Sequence, residues 1–140
     1  PRIADRTMLE ITERAALRNT PALRQRVDEL RERGFRIAVD DLGTGYNSLA
    51  IFASLEPDLV KIDMSLIRGI DTNPTQQRLV RSVVDLCGDM GIEVVAEGIE
   101  TAEALAMLRE FQCQIGQGYF FSSPVDGDAA LALLENSPIW

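Results

Sequence analysis

Histidine is absent from these 140 residues, lysine occurs once and cysteine twice. Without imidazole, and with only two thiols, the chain all but excludes a zinc centre. Cys87 and Cys113 both sit inside apolar periodic segments, where they read as small core residues of a reducing compartment. Long apolar runs are missing too: none approaches the roughly 18–20 residues of a membrane span, and no secretory pattern opens the chain. Basic charge is scarce, with 14 Lys and Arg against 22 Asp and Glu and a net charge of −8. A nucleic-acid duplex is therefore not expected as a partner, although a compact phosphate ligand could still bind if cations bridged the two.

What is present is an ordinary soluble composition, 46% apolar and 26% charged, long enough for one domain with a core. Apolar, β-branched runs alternate with segments of helical period. The strand candidates are residues 8–12, 36–40, 59–63, 92–97 and 115–120. Thr20 and Pro21 open a helix in which Leu23, Val27 and Leu30 share a face, with Gly34 as its C-cap. Further helices are expected over 75–90, 101–111 and 127–135, and a shorter one over 47–55. Strand–helix alternation of this kind makes βαβ units and hence parallel strands. Five strands cannot close an eight-stranded barrel of about 250 residues. The expected fold is therefore α/β, either a compact open sheet or the C-terminal part of a larger barrel.

Ionisable side chains gather where these strands should end, the edge at which parallel folds build their sites. The four runs are Leu9–Glu13, Ala38–Asp41, Val60–Asp63 and Val94–Glu100. Carboxylates beside β-branched residues are costly unless paired or holding a metal, so four such runs point to one shared site and to hydrolytic metal chemistry. Adjacent Asp40 and Asp41 cannot both face inward in ideal strand geometry, which puts one of them where the strand gives way to loop. A helix N-cap with a solvated neighbour is the competing reading of that pair. An oxygen-only ligand set favours Mg²⁺ or Mn²⁺. Lys61, the single lysine, is either a chance survivor or a compact donor with a tunable pKa. Glu97 ends its strand toward the site, whereas Glu100 could equally favour the start of the next helix. Gly43 and Gly45, beside Thr44 and Ser48, make a loop whose N–H groups could face an anion; it is not a Walker loop.

Glu10-Ile-Thr-Glu13, Asp40-Asp-Leu-Gly-Thr-Gly-Tyr-Asn-Ser48, Lys61-Ile-Asp63, Ala96-Glu-Gly-Ile-Glu100 and Gly116-Gln-Gly-Tyr-Phe-Phe121 occur in this order and spacing. As a set, from about Leu9 to Pro124, they resemble the EAL-domain family of bacterial phosphodiesterases that linearise cyclic di-GMP. The resemblance implies a (β/α)8-type barrel, of which residues 1–140 are a C-terminal part of about five βα units, with two Mg²⁺ or Mn²⁺ ions at the strand ends. By motif, Glu10 and Asp40 would help hold one ion, and Asp40, Asp41 and Glu97 the other. Lys61 would orient or help activate the attacking water, Glu100 would support the shell, and Gln117 would contact the water or a nearby ligand. Asp63, Gln117, Tyr119 and Pro124 are the implied substrate contacts. Glu13 would pin the loop of Gly43, Thr44, Gly45 and Ser48, which in this family also serves dimerisation.

Departures from the family pattern are Leu42 for phenylalanine, Asn47 for serine, and Ser123 at an often basic position. The family's Glu-Ala-Leu motif and an asparagine ligand would lie before Pro1. The expectation is thus an active parent phosphodiesterase, yielding linear pGpG, with this fragment inactive by itself. A degenerate domain serving as a cyclic di-GMP receptor or a regulatory dimerisation module is the alternative. A homo-oligomer, additional sensory or signalling domains, and a cytoplasmic location, in a parent that is either free or tethered to a membrane, complete the expectations.

Overall fold

The computed structural model describes residues 3–16, 21–43 and 55–136. A 3-10 turn (Ala4–Arg6) leads into β1 (Met8–Thr12), α1 (Glu13–Ala16), α2 (Pro21–Glu32) and β2 (Arg36–Leu42). Then come β3 (Leu59–Ile62), α3 (Met64–Ile67), α4 (Pro74–Met90), β4 (Glu93–Ala96), α5 (Ala102–Glu110), β5 (Ile115–Gly116) and α6 (Gly127–Asn136). The strands form one sheet in the order β1-β2-β3-β4-β5, and each neighbouring pair is parallel. Successive crossovers of one hand keep the helices on a single face, whereas a doubly wound sheet reverses its order at a switch point. The sheet is therefore wound as part of a (β/α)8 barrel, the second of the two expected architectures.

Period two sorts the side chains onto two faces. Ile37, Val39, Val60, Ile62, Val94 and Ala96 pack with Val27, Val80, Cys87, Ala104 and Leu108 from the helices, making the main core. On the opposite face Ala38, Leu59 and Val95 form a small second cluster against Met8. Two residues further along, and so on that same face, stand Glu10, Asp40, Lys61 and Glu97. An apolar floor thus ends in a charged rim at the carboxyl ends of the strands.

Most element positions match the pattern of the sequence, with instructive departures. β2 runs on to Leu42, two residues past its expected end, because a register shift between Val39 and Leu42 lets the strand continue against β3. β3 stops at Ile62, since the Asp63 carboxylate accepts the Ser65 N–H at 2.9 Å and so caps α3. β5 is two residues long rather than six: beyond it Phe120 N–H turns back to the Ile99 carbonyl at 3.0 Å. α4 starts at Pro74 with Asn73 as its N-cap, accepting from Thr75 and Gln76 N–H. The Thr20 cap, and the helix expected over 47–55 except for Leu55, lie outside the described residues. No helix among the described residues is long and apolar enough to cross a membrane.

Candidate active site

Four neighbouring strands deliver one ion-paired cluster. Register sets Thr12 beside Asp40 and Lys61 beside Val95, so Glu10, Asp40 and Glu97 approach Lys61 from both sides. The Lys61 ammonium lies 3.0 Å from Asp40 Oδ1, 3.0 Å from Glu97 Oε1 and 3.2 Å from Glu10 Oε1. Lys61, Asp40 and Glu97 are 15%, 21% and 18% exposed, whereas Glu10 is 52% exposed. The first three therefore interact in a low dielectric, and Glu10 is screened by water.

Burial by itself lowers the pKa of the Lys61 ammonium, but Glu97, Asp40 and Glu10, with Glu97 adding its Coulomb attraction, hold it above its ordinary value. The lysine is consequently a fixed cation at neutral pH. Asp40 Oδ1, although 3.0 Å from Nζ, is buried and accepts no hydrogen bond of normal geometry. That leaves a desolvated carboxylate oxygen neutralised by charge without being fully coordinated.

The adjacent aspartates are accommodated within the strand instead of at its end. Asp41 adopts φ 60°, a left-handed value that non-glycine residues rarely take, at the bulge between Val39 and Leu42. The extra residue keeps Asp40 on the rim while the chain re-enters the ladder at Leu42. Asp41 is half-buried and is not among the three carboxylates paired with Lys61.

The remaining candidate residues divide. Gln117 lines, with Glu10 and Lys61, an open groove of about 1050 Å³ that runs over Leu59, Val95 and Gly116. Glu100 faces Arg68, whose Nη2 and Nε donate to Oε1 at 2.7 and 3.2 Å. It is Thr101, through its hydroxyl, that caps α5 by accepting from Ala104 N–H. Asp63 is occupied in capping α3, and Tyr119 and Pro124 are exposed. Gly43 closes the described part of its loop against Leu66; Thr44, Gly45 and Ser48 lie outside the described residues, as does the side chain of Glu13. No local sequence signal marks Arg68, since its partner is 32 residues away.

Among the described residues, no three carboxylate, thiol or imidazole side chains are drawn together tightly enough to hold a metal ion by themselves. Glu10, Asp40 and Glu97 converge on the ammonium instead. The donor set nonetheless suits a hard cation: it is all oxygen, it comes from neighbouring strand ends, and it includes the under-coordinated Asp40 Oδ1. Chemically, the rim presents oxygen donors of the kind a hard divalent ion takes, with a fixed ammonium among them.

Comparison with known proteins gives a consistent picture. The family model for the EAL domain matches residues 2–124. Among curated relatives, "Probable cyclic di-GMP phosphodiesterase PdeG" of Escherichia coli is 42% identical over 118 residues, covering 84% of this chain and 23% of that protein. The cyclic di-GMP phosphodiesterase NbdA of Pseudomonas aeruginosa is 38% identical over 117 residues, covering 84% of this chain and 15% of that protein. The chain thus spans less than a quarter of these relatives. Among solved structures, the EAL enzyme Bd1971 with cAMP and cyclic di-GMP bound superimposes with a TM-score of 0.87 at 34% identity, over 94% of this chain and 35% of that one. Klebsiella pneumoniae BlrP1 in its manganese and cyclic di-GMP complex gives 0.83 at 38% identity, over 86% of this chain and 31% of that one; BlrP1 has also been solved with calcium and cyclic di-GMP.

Proposed function

The chain belongs to the EAL-domain family, and on that premise we propose that the protein containing it hydrolyses one phosphodiester bond of cyclic di-GMP to give linear pGpG. The observation that carries this reading is the convergence of Glu10, Asp40 and Glu97, from three parallel strands, on the single ammonium of Lys61. Residues 1–140 supply part of the domain, including this rim. Water forms the new P–O bond, the ester P–O bond breaks, and the water's proton is transferred to the departing ribose oxygen.

Glu10, Asp40, Asp41 and Glu97 would hold two divalent ions, Mg²⁺ or Mn²⁺. When bound, such ions supply Lewis-acid stabilisation of charge on the attacking and leaving oxygens. Lys61 offers N–H donors that orient the water or a phosphoryl oxygen and keeps its acidic partners from repelling one another. Gln117, on the same groove, is placed to contact the water or the ligand. The apolar floor of Met8, Leu59 and Val95 closes the rim from below, which strengthens each electrostatic contact above it. Divalent ions also reconcile a chain of net charge −8 with a doubly anionic ligand.

The test is incubation of the full-length protein with cyclic di-GMP and Mg²⁺ or Mn²⁺, followed by chromatography of the products. A linear dinucleotide that disappears in Asp40→Asn and Glu97→Gln establishes the reaction and the site. Tight binding of intact ligand without turnover makes the protein a receptor and removes the catalytic roles.

A further inference from the structure

Residues Glu97–Glu100 carry the site from β4 into α5 without regular structure of their own, yet the segment is gripped along its length. Glu97 N–H donates to the Ile62 carbonyl at 3.1 Å, Ile99 N–H to the Gln117 carbonyl at 3.1 Å, and the Ile99 carbonyl accepts from Phe120. Gly98, at φ 69°, lies against α3: a Cβ there would fall 2.4 Å from Met64 Cβ and 3.3 Å from Met64 Cα. The last grip is a side chain, the Arg68 guanidinium on Glu100 Oε1.

The α3 turn is itself a firm base. Gln76 Nε2 donates to the Ser65 carbonyl at 2.9 Å, Asp63 caps the first turn, and Ile67 and Ile70 are fully buried. It also reaches the strand on the other side, because a Cβ on Gly43 would sit 2.4 Å from Leu66 Cδ1. One four-residue helix therefore wedges the segment after β4, which carries Glu97, against Gly43 just past β2, three residues beyond Asp40.

We propose that Arg68, anchored on this wedge, is a positioning residue: by holding Glu100 it sets the Glu97 carboxylate over the Lys61 cluster. The proposal rests on the phosphodiesterase reading above. Arg68 and Glu100 are 55% and 41% exposed, and an ion pair so exposed contributes little to stability. Two N–H groups of one planar guanidinium converge on the single oxygen Oε1 and hold it in place from two points of a rigid fork, a grip that the point charge of a lysine does not reproduce. Partners that orient ligand-bearing groups from behind typically matter for affinity and turnover far more than for folding.

The experiment compares the full-length wild type with Arg68→Ala and Arg68→Lys by three readouts: Mn²⁺ affinity from the electron paramagnetic resonance of free Mn²⁺, kcat and KM for cyclic di-GMP, and melting temperature. Arg68→Ala is expected to lose roughly tenfold in both Mn²⁺ affinity and kcat, with KM within about twofold and melting within about 4 °C of wild type. Arg68→Lys recovers only a minor part of that loss. Unchanged Mn²⁺ affinity and kcat in Arg68→Ala overturn the proposal, as does a loss matched by a collapse in melting temperature. A wild type that binds Mn²⁺ but does not turn over fails the phosphodiesterase reading; the Mn²⁺ affinity of Arg68→Ala then decides the positioning role alone. A wild type that binds no Mn²⁺ overturns both.

Discussion

Replacing Lys61 by methionine keeps most of the side chain's volume and removes its charge, so it isolates the electrostatics of the rim. Asp40 Oδ1 and Glu97 Oε1 each lie 3.0 Å from Nζ, which puts them at most about 6 Å from one another. Without the ammonium, two carboxylates at that separation repel by about 3 kcal/mol at an effective dielectric constant of ~20. The attraction that each of them made to Lys61 is lost as well. Stranding buried partners in this way costs about 3–5 kcal/mol, while Glu10, half exposed, adds at most about 1 kcal/mol. At roughly 2–4 °C per kcal/mol, Lys61→Met should unfold roughly 10 °C below wild type in the calorimetric transition of this domain, measured without divalent ions. Adding Asp40→Asn and Glu97→Gln to the same variant removes the stranded charges and should restore most of the loss. The reasoning is refuted if Lys61→Met melts at the wild-type temperature, or if the triple variant is no more stable than the single one.

Gly98→Ala should destabilise the domain by about 1–3 kcal/mol, because alanine is strained at φ 69° and its methyl would meet Met64 Cβ at 2.4 Å; chemical denaturation of the two proteins side by side measures it, and equal midpoints would count against the packing described. Cys87 supplies a pH-dependent expectation: burial first, then the charge of Cys113, pushes its thiol from 9.0 up to about 11. The folded state therefore holds this proton more tightly than the unfolded one, so the contribution of Cys87 to stability is intact below pH 9 and lost as pH rises through about 11. Iodoacetamide labelling of Cys87 at pH 8, read by peptide mass spectrometry, should accelerate about 100-fold on unfolding; comparable rates in the two states would contradict its burial.

Much of the site could be read before any coordinates. Glu10, Asp40, Lys61 and Glu97 were marked by a simple conflict, an ionisable group at the end of a β-branched run, and strand polarity alone sent all four to one edge of a parallel sheet. Asp63 and Glu100 satisfied the same pattern, yet the fold gives them other partners, an N-terminal helix turn and a guanidinium. Both residues sit where a strand passes into a helix, and there a carboxylate has two favourable uses that composition cannot separate. The fifth strand was overestimated because Tyr119, Phe120 and Phe121 carry high β propensity; the return of Phe120 to Ile99 overrides it.

The sequence by itself determined the alternation of strands and helices, their parallel arrangement, and the edge on which the carboxylates collect. Those properties follow from periodicity and capping, which act over a few residues at a time. Only the tertiary structure decided how the groups meet. The bulge that gives Asp41 its left-handed backbone, the placing of one ammonium among three acids, and the clasp of Arg68 on Glu100 all depend on register between segments 20 to 60 residues apart. Such contacts are settled by packing the whole sheet against its helices, since no local preference encodes which distant side chain will fill the space opposite.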